Sequence, residues 1–126
     1  MKIKLIAVDM DGTFLNENKQ YDRERFQKQY HALKEKGIKF VVASGNQYYQ
    51  LISFFPEIYR DISFVAENGA LVYDQGERVH HGELTTAQYH KVVDELSAFD
   101  GINCVVCGLE SAYYRAGAPQ AFIDLM

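Results

Sequence analysis

The sequence predicts an α/β fold, a parallel sheet whose strands alternate with helices. Three observations carry this. Residues 2–8, 38–43 and 63–66 are short apolar runs that read as buried strands. Each ends in a polar, glycine-containing tip, at residues 9–12, 44–46 and 67–69. Segments with helical spacing of apolar residues separate the first run from the second and follow the second. Strands joined through helices pair in parallel, and such a sheet is expected to be covered on both faces.

The elements follow in order. Residues 2–8 alternate and then turn wholly apolar, through Ile3, Leu5, Ile6, Ala7 and Val8. Asp22 is a plausible N-cap for a helix running to Lys36, with Phe26, Tyr30 and Leu33 on one face and Gly37 at the position that ends helices. The charges between Arg23 and Lys36 form its solvated face. The second strand, 38–43, closes on Ser44-Gly45-Asn46, and a helix over 47–55 is stopped by Pro56. Its aromatics Tyr48, Tyr49, Phe54 and Phe55 are expected in the core.

After the third strand, residues 70–73 and 78–81 flank Asp74-Gln75-Gly76-Glu77 as a hairpin with a four-residue loop. Adjacent His80 and His81 point to opposite faces, so one exposed and one packed histidine is expected. Thr85 is a second N-cap, and Tyr89, Val92, Val93 and Leu96 mark a helix over 87–99. A strand at 102–107 and a helix start at 119–126 then read as the beginning of a second α/β unit, after a mild break at 82–86. Cys104 and Cys107 have a redox or zinc spacing but lie within the predicted strand, without a second ligand pair, so core packing is expected.

Composition excludes several classes. The 126 residues are 48% hydrophobic and 24% charged, the balance of a globular chain able to bury a core. A net charge of −4 without a basic stripe argues against nucleic acid as a partner. No apolar run approaches the roughly 18 residues of a membrane span. The first residues lack a signal-peptide core, and two cysteines are too few for a disulfide framework, so a reducing, cytoplasmic setting is expected.

Chemistry concentrates at the strand tips, since ligands of such sheets bind outside the carboxyl ends of the strands. In Asp9-Met10-Asp11-Gly12-Thr13 two carboxylates stand at i and i+2 after an apolar strand, so a continued strand would point them the same way. Like charges that close repel, which suggests a hard cation such as Mg²⁺ held by Asp9 and Asp11. Gly12 permits close backbone approach. Asn46 and Asn68, at neighbouring tips, suit either hydrogen bonding to a ligand or simple turn formation.

These five residues, followed by Phe14-Leu15, resemble the first motif of the haloacid dehalogenase superfamily of phosphohydrolases. Ser44, in Val41-Val42-Ala43-Ser44-Gly45-Asn46, resembles the second. Residues 44–56 and Glu67-Asn68-Gly69-Ala70 look more particularly like the Cof-type sugar phosphatases of enteric bacteria, and the resemblance covers the whole chain. It implies a Rossmann-like parallel-sheet core of the haloacid dehalogenase type at residues 1–83 and the start of an α/β cap at 84–126. It also implies a Mg²⁺-dependent phosphatase acting on small sugar phosphates through an aspartyl-phosphate. Asp9 would be the nucleophile and Asp11 the acid and base, with its backbone carbonyl also on Mg²⁺. Ser44 and the amides around Gly12 and Gly45 would hold the phosphoryl oxygens, supported by Thr13, with Asn46 and Asn68 on phosphate or sugar.

Two parts of the family's pattern are not recognisable: a lysine that stabilises the phosphorylated nucleophile, and a late acidic motif of the Gly-Asp-x-x-Asn-Asp type. The resemblance therefore implies an amino-terminal half, truncated inside the cap, with an uncovered sheet edge that invites self-association. Two other readings stand beside the phosphatase. One is a catalytically inactive module of the same fold that binds phosphate or a partner. The other is a receiver-like phosphoacceptor, against which the order Asp9-x-Asp11-Gly12-Thr13 on the first strand argues.

Overall fold

The computed structural model describes residues 2–125. The chain forms two units, divided between Gly82 and Glu83. In the first, β1 (Leu5–Val8), β2 (Lys39–Ala43), β3 (Ser63–Ala66), β4 (Leu71–Asp74) and β5 (Glu77–His81) make one sheet in the order β1-β2-β3-β4-β5. The first three strands are parallel, with Ile6 opposite Phe40 and Val42 opposite Phe64. Strands β4 and β5 are antiparallel additions, so the sheet is mixed.

Helices α1 (Arg23–Glu35) and α2 (Tyr48–Ser53) form the two crossovers. Asp22 caps α1 by accepting from the Arg25 amide at 2.9 Å. Its far end closes in a Schellman turn, in which the amides of Gly37 and Ile38 donate to the carbonyls of Lys34 and Leu33 at 3.0 and 2.9 Å, with Gly37 at φ 64°. Helix α2 is shorter than its sequence suggests. Phe54 and Phe55 tighten into amide bonds three residues back, to Leu51 and Ile52, before Pro56.

Both crossovers step the same way along the sheet, and right-handed connections then put both helices on one face. One core records this. Phe26 and Tyr30 of α1, Tyr48 and Leu51 of α2, and Phe55 share it with Phe40, Val42, Phe64, Ala66 and Leu71. Phe55 is its hub, with its ring 5.5–6.2 Å from those of Phe14, Tyr21, Phe26, Phe40 and Phe64. Tyr48 stacks on Tyr73 at 3.7 Å, whereas Tyr49 is exposed, so only part of that aromatic set is core. Among the described residues the other face, expected to be covered too, is covered only in part. Leu5 and Ala7 are exposed and Ala43, Val65 and Val72, of the same parity in the ladder, are half-buried, while Val41 between them is buried. Among the described residues β1 is an unpaired edge, and Ile3 and Leu5 are 60% and 51% exposed.

The β4–β5 hairpin has a two-residue loop, not four. Gln75 and Gly76 both take positive φ, 52° and 82°, which matches the twist of a tight hairpin and lets Asp74 pair with Glu77. Asp74 is also held by the Ser63 hydroxyl at 2.5 Å. Every residue of β5 is exposed, so both His80 and His81 are exposed, and the expected packed histidine is absent because this strand is an edge.

The second unit contains α3 (Thr86–Ser97), an antiparallel pair β6 (Val105–Cys107) and β7 (Ala112–Tyr114), and the short α4 (Gln120–Ile123). Sequence spacing started β6 too early and missed β7, a three-residue strand that begins where Gly108 donates to the Ser111 carbonyl at 2.8 Å. Among the described residues no side chain of this unit is buried, so the core-packing expectation for the cysteines fails: Cys104 is half-buried and Cys107 exposed. A groove of about 920 Å³ opens between Val93 and Leu96 of α3, with Phe99 just beyond its end, and Tyr113 and Phe122. With little core, caps matter more here. Thr85 and Gln88 form a reciprocal capping box, 3.3 Å from the Gln88 amide to Thr85 Oγ1 and 2.9 Å from the Thr85 amide to Gln88 Oε1. Thr85→Ala is expected to cost about 1 kcal/mol, so amides of the first turn of α3 should exchange roughly fivefold faster by hydrogen–deuterium exchange, with unit one unchanged. Among the described residues no helix is long and apolar enough to cross a membrane.

Candidate active site

Parallel pairing puts the carboxyl ends of β1, β2 and β3 at one edge of the sheet. Beyond β1 the chain wraps around one carbonyl. The amides of Thr13, Phe14 and Leu15 all donate to Met10 O, at 3.3, 3.1 and 2.9 Å. Met10 and Leu15 are buried in the core, while Asp9, Asp11, Gly12 and Thr13 face outward. The apolar residue between the two aspartates is thus the anchor that exposes both. Gly12 sits at φ 73°, a conformation that a side chain would strain.

The tips of β2 and β3 are stitched together. The Ser44 amide donates to Val65 O at 2.9 Å, the Glu67 amide to Asn46 O at 3.1 Å, and the Asn68 amide to Ser44 O at 3.2 Å. Ser44 Oγ accepts from the Asn46 amide at 3.2 Å. Glu67, Asn68 and Gly69 take φ of 52°, 54° and 95° in succession, a costly left-handed turn that lays the Asn68 amide group against Gly45. A Cβ at position 45 would lie 3.1 Å from Asn68 Oδ1, so a side chain there would force the Asn68 amide group to give by a few tenths of an ångström.

Asp11 joins the two halves. Asn46 Nδ2 donates to its Oδ2 at 2.9 Å, and the Lys19 ammonium pairs with its Oδ1. The Lys19 hydrogen bond, followed by that from Asn46, holds the Asp11 carboxyl below the ordinary carboxylate range. Of the residues singled out in the sequence, the fold therefore links Asp11 to Asn46, Asn46 to Ser44, and Ser44 and Gly45 to Asn68. Asp9, Gly12 and Thr13 stand on the adjacent turn, and among the described residues the side chains of Asp9 and Thr13 make no hydrogen bond.

Lys19 is the residue that sequence reasoning missed. It lies eight positions beyond Asp11, in a loop organised by Asn16, and reaches the site because it adopts φ 57°. The Asn16 turn is legible as turn chemistry; a lysine in the left-handed region is not. As for a metal, the exposed carboxylates of Asp9 and Asp11 are the hard oxygen donors that Mg²⁺ takes, and that ion is commonly held by one or two carboxylates together with water and substrate phosphate. Among the described residues no three His, Cys, Asp or Glu side chains converge.

The model of the haloacid dehalogenase-like hydrolase family matches residues 6–123. The chain belongs to that family. Among haloacid dehalogenase-like proteins it is 58% identical over 113 residues to the 5-amino-6-(5-phospho-D-ribitylamino)uracil phosphatase YbjI of Escherichia coli, covering 90% of this chain and 42% of that one. A crystal structure from Streptococcus mutans superposes with a TM-score of 0.92 at 31% identity, over 98% of this chain and 47% of that one. A haloacid dehalogenase-like hydrolase from Bacillus subtilis gives 0.77 at 25%, over 98% and 42%. The chain thus spans less than half the length of these relatives.

Proposed function

We propose that this chain carries the nucleophile, the acid–base group and part of the phosphate site of a phosphatase acting on small phosphorylated sugars. The observation that carries the reading is the disposition of two outward aspartates on the β1 tip, with Asp11 fastened from the β2 tip by Asn46. Units 1–82 and 83–126 correspond in this reading to a core and the beginning of a cap. The similarity to YbjI, a phosphatase by name, supports the activity.

The Asp9 carboxylate attacks phosphorus in line with the ester oxygen, whose bond to phosphorus breaks as Asp11 gives that oxygen a proton. Asp11, then ionised, takes a proton from the water that attacks the aspartyl-phosphate, releasing phosphate and restoring Asp9. Ser44 Oγ and the amides near Gly12 and Gly45 hold the equatorial oxygens, with Thr13, Asn46 and Asn68 around them. Asp9 through its carboxylate and Asp11 through its backbone carbonyl would hold Mg²⁺, which would offset the charge between carboxylate and phosphate.

Phosphate release from an aryl phosphate and a panel of sugar phosphates, with Mg²⁺ and with excess chelator, tests the reading. Chelation is expected to lower turnover at least about 100-fold, reversibly on adding Mg²⁺. Phosphate binding without turnover, surviving Asp9→Asn, would mean a binding module. The exposed β1 edge also supports self-association, expected as a concentration-dependent mass in sedimentation.

A further inference from the structure

We propose that Lys19 reads the leaving group: it selects phosphomonoesters that carry an oxygen acceptor, above all a carboxylate, within two carbons of the ester oxygen. The proposal rests on the phosphatase reading, because it takes Asp11 as the group that protonates that oxygen.

The loop is built to present this lysine. Asn16 ties it at both ends: its amide donates to Gln20 O at 2.8 Å, its carbonyl accepts from the Lys19 amide at 3.0 Å, and its Oδ1 accepts from the amides of Asn18 and Gln20, each at 3.0 Å. Lys19 itself takes the left-handed backbone that a side chain disfavours, so the turn bears strain at the residue that reaches Asp11. Among the described residues Lys19 is the one cationic side chain in contact with either aspartate.

Geometry then fixes what it can touch. An acid must lie within about 3 Å of the oxygen it protonates. The Lys19 ammonium sits one hydrogen bond from the same carboxyl, so when one carboxyl oxygen makes both contacts it lies within roughly 6 Å of the ester oxygen, near enough to reach a group one or two carbons away. An ammonium has three donors, and one is spent on Asp11. The side chain is 66% exposed, so the others are open to solvent and to a ligand. Asn46 holds the second Asp11 oxygen, so Asp11 keeps its place when Lys19 engages a ligand. Asp9 and Asp11 repel an anionic leaving group, and Lys19 is the charge that offsets them.

Three esters of similar size separate the possibilities: ethyl phosphate, with no acceptor; 2-hydroxyethyl phosphate, with a neutral one; and phosphoglycolate, with a carboxylate. Each is titrated into the chain while amide shifts of residues 9–20 and 44–46 are followed by NMR, and KM and kcat are measured alongside. Affinity is expected to rise along the series. Lys19→Met should weaken phosphoglycolate binding about tenfold in Kd, leave the Kd of ethyl phosphate within about twofold, and be rescued by Lys19→Arg; because Lys19 also touches Asp11, kcat is compared between esters within each variant. Equal binding of the three esters, or a Lys19→Met variant whose Kd weakens equally on all of them, overturns the proposal while leaving the phosphatase reading in place. Absence of any ester binding at these residues in the unsubstituted chain overturns the phosphatase reading, and this proposal with it.

Discussion

Asp9→Asn is expected to lower phosphate release by about 10³-fold or more without altering the fold. The substitution keeps the size of the side chain, removes the anion that attacks phosphorus, and takes one of the two carboxylates away from Mg²⁺. Little else changes, because Asp9 is exposed and its side chain holds no hydrogen bond among the described residues. The burial of Met10 and the three amides gathered on its carbonyl fix the turn independently of position 9. Phosphate release measured beside a thermal melt checks both halves of the expectation. A variant that melts as before but keeps more than about a tenth of its turnover would remove Asp9 from the role of nucleophile.

Phe55→Ala carries the largest expected effect on stability, about 3–5 kcal/mol, because it empties the centre of the aromatic cluster. For a unit of this size that lowers the melting temperature by roughly 15–30 °C. The ring is 1% exposed and meets five others, so the space cannot close by moving one neighbour. Phe99→Ala is the internal comparison, since that ring is 62% exposed in the second unit, and its cost should stay near 0.5 kcal/mol. Calorimetry of the two variants, with chemical denaturation as a second measure, decides the matter. Equal losses would mean that the stability of the chain does not centre on the first unit.

What was legible in the sequence follows from how local each cause is. Strand β2 and helix α1 could be read because a continuous apolar run, an N-cap at Asp22 and a glycine at 37 act within a few residues of themselves. The aspartates could be read because a buried strand ended on them. The gathering of both helices on one face could not, since it depends on the sense of two successive crossovers, a property of strand order. Nor could the two-residue hairpin loop, because left-handed Gln75 carries no mark of its conformation. The packing of Tyr48 against Tyr73 and the approach of Asn68 to Gly45 join segments that only the assembled sheet brings together. Lys19 combines both difficulties, an unmarked backbone conformation and a partner in another turn.

The strand order has a further consequence, for the sequence of events in folding. Each parallel strand pairs with the one synthesised just before it, and each helix packs on the strand that follows it. Each pairing closes one crossover at a time, so the first unit can form from its amino-terminal side as the chain emerges. The tips that bring Asp11 to Asn46 are then assembled before α3 is made. Sequence change after Gly82 can accordingly be tested apart from how the reactive groups find one another, which makes that part of the chain the tolerant ground for variation and the first unit the intolerant one.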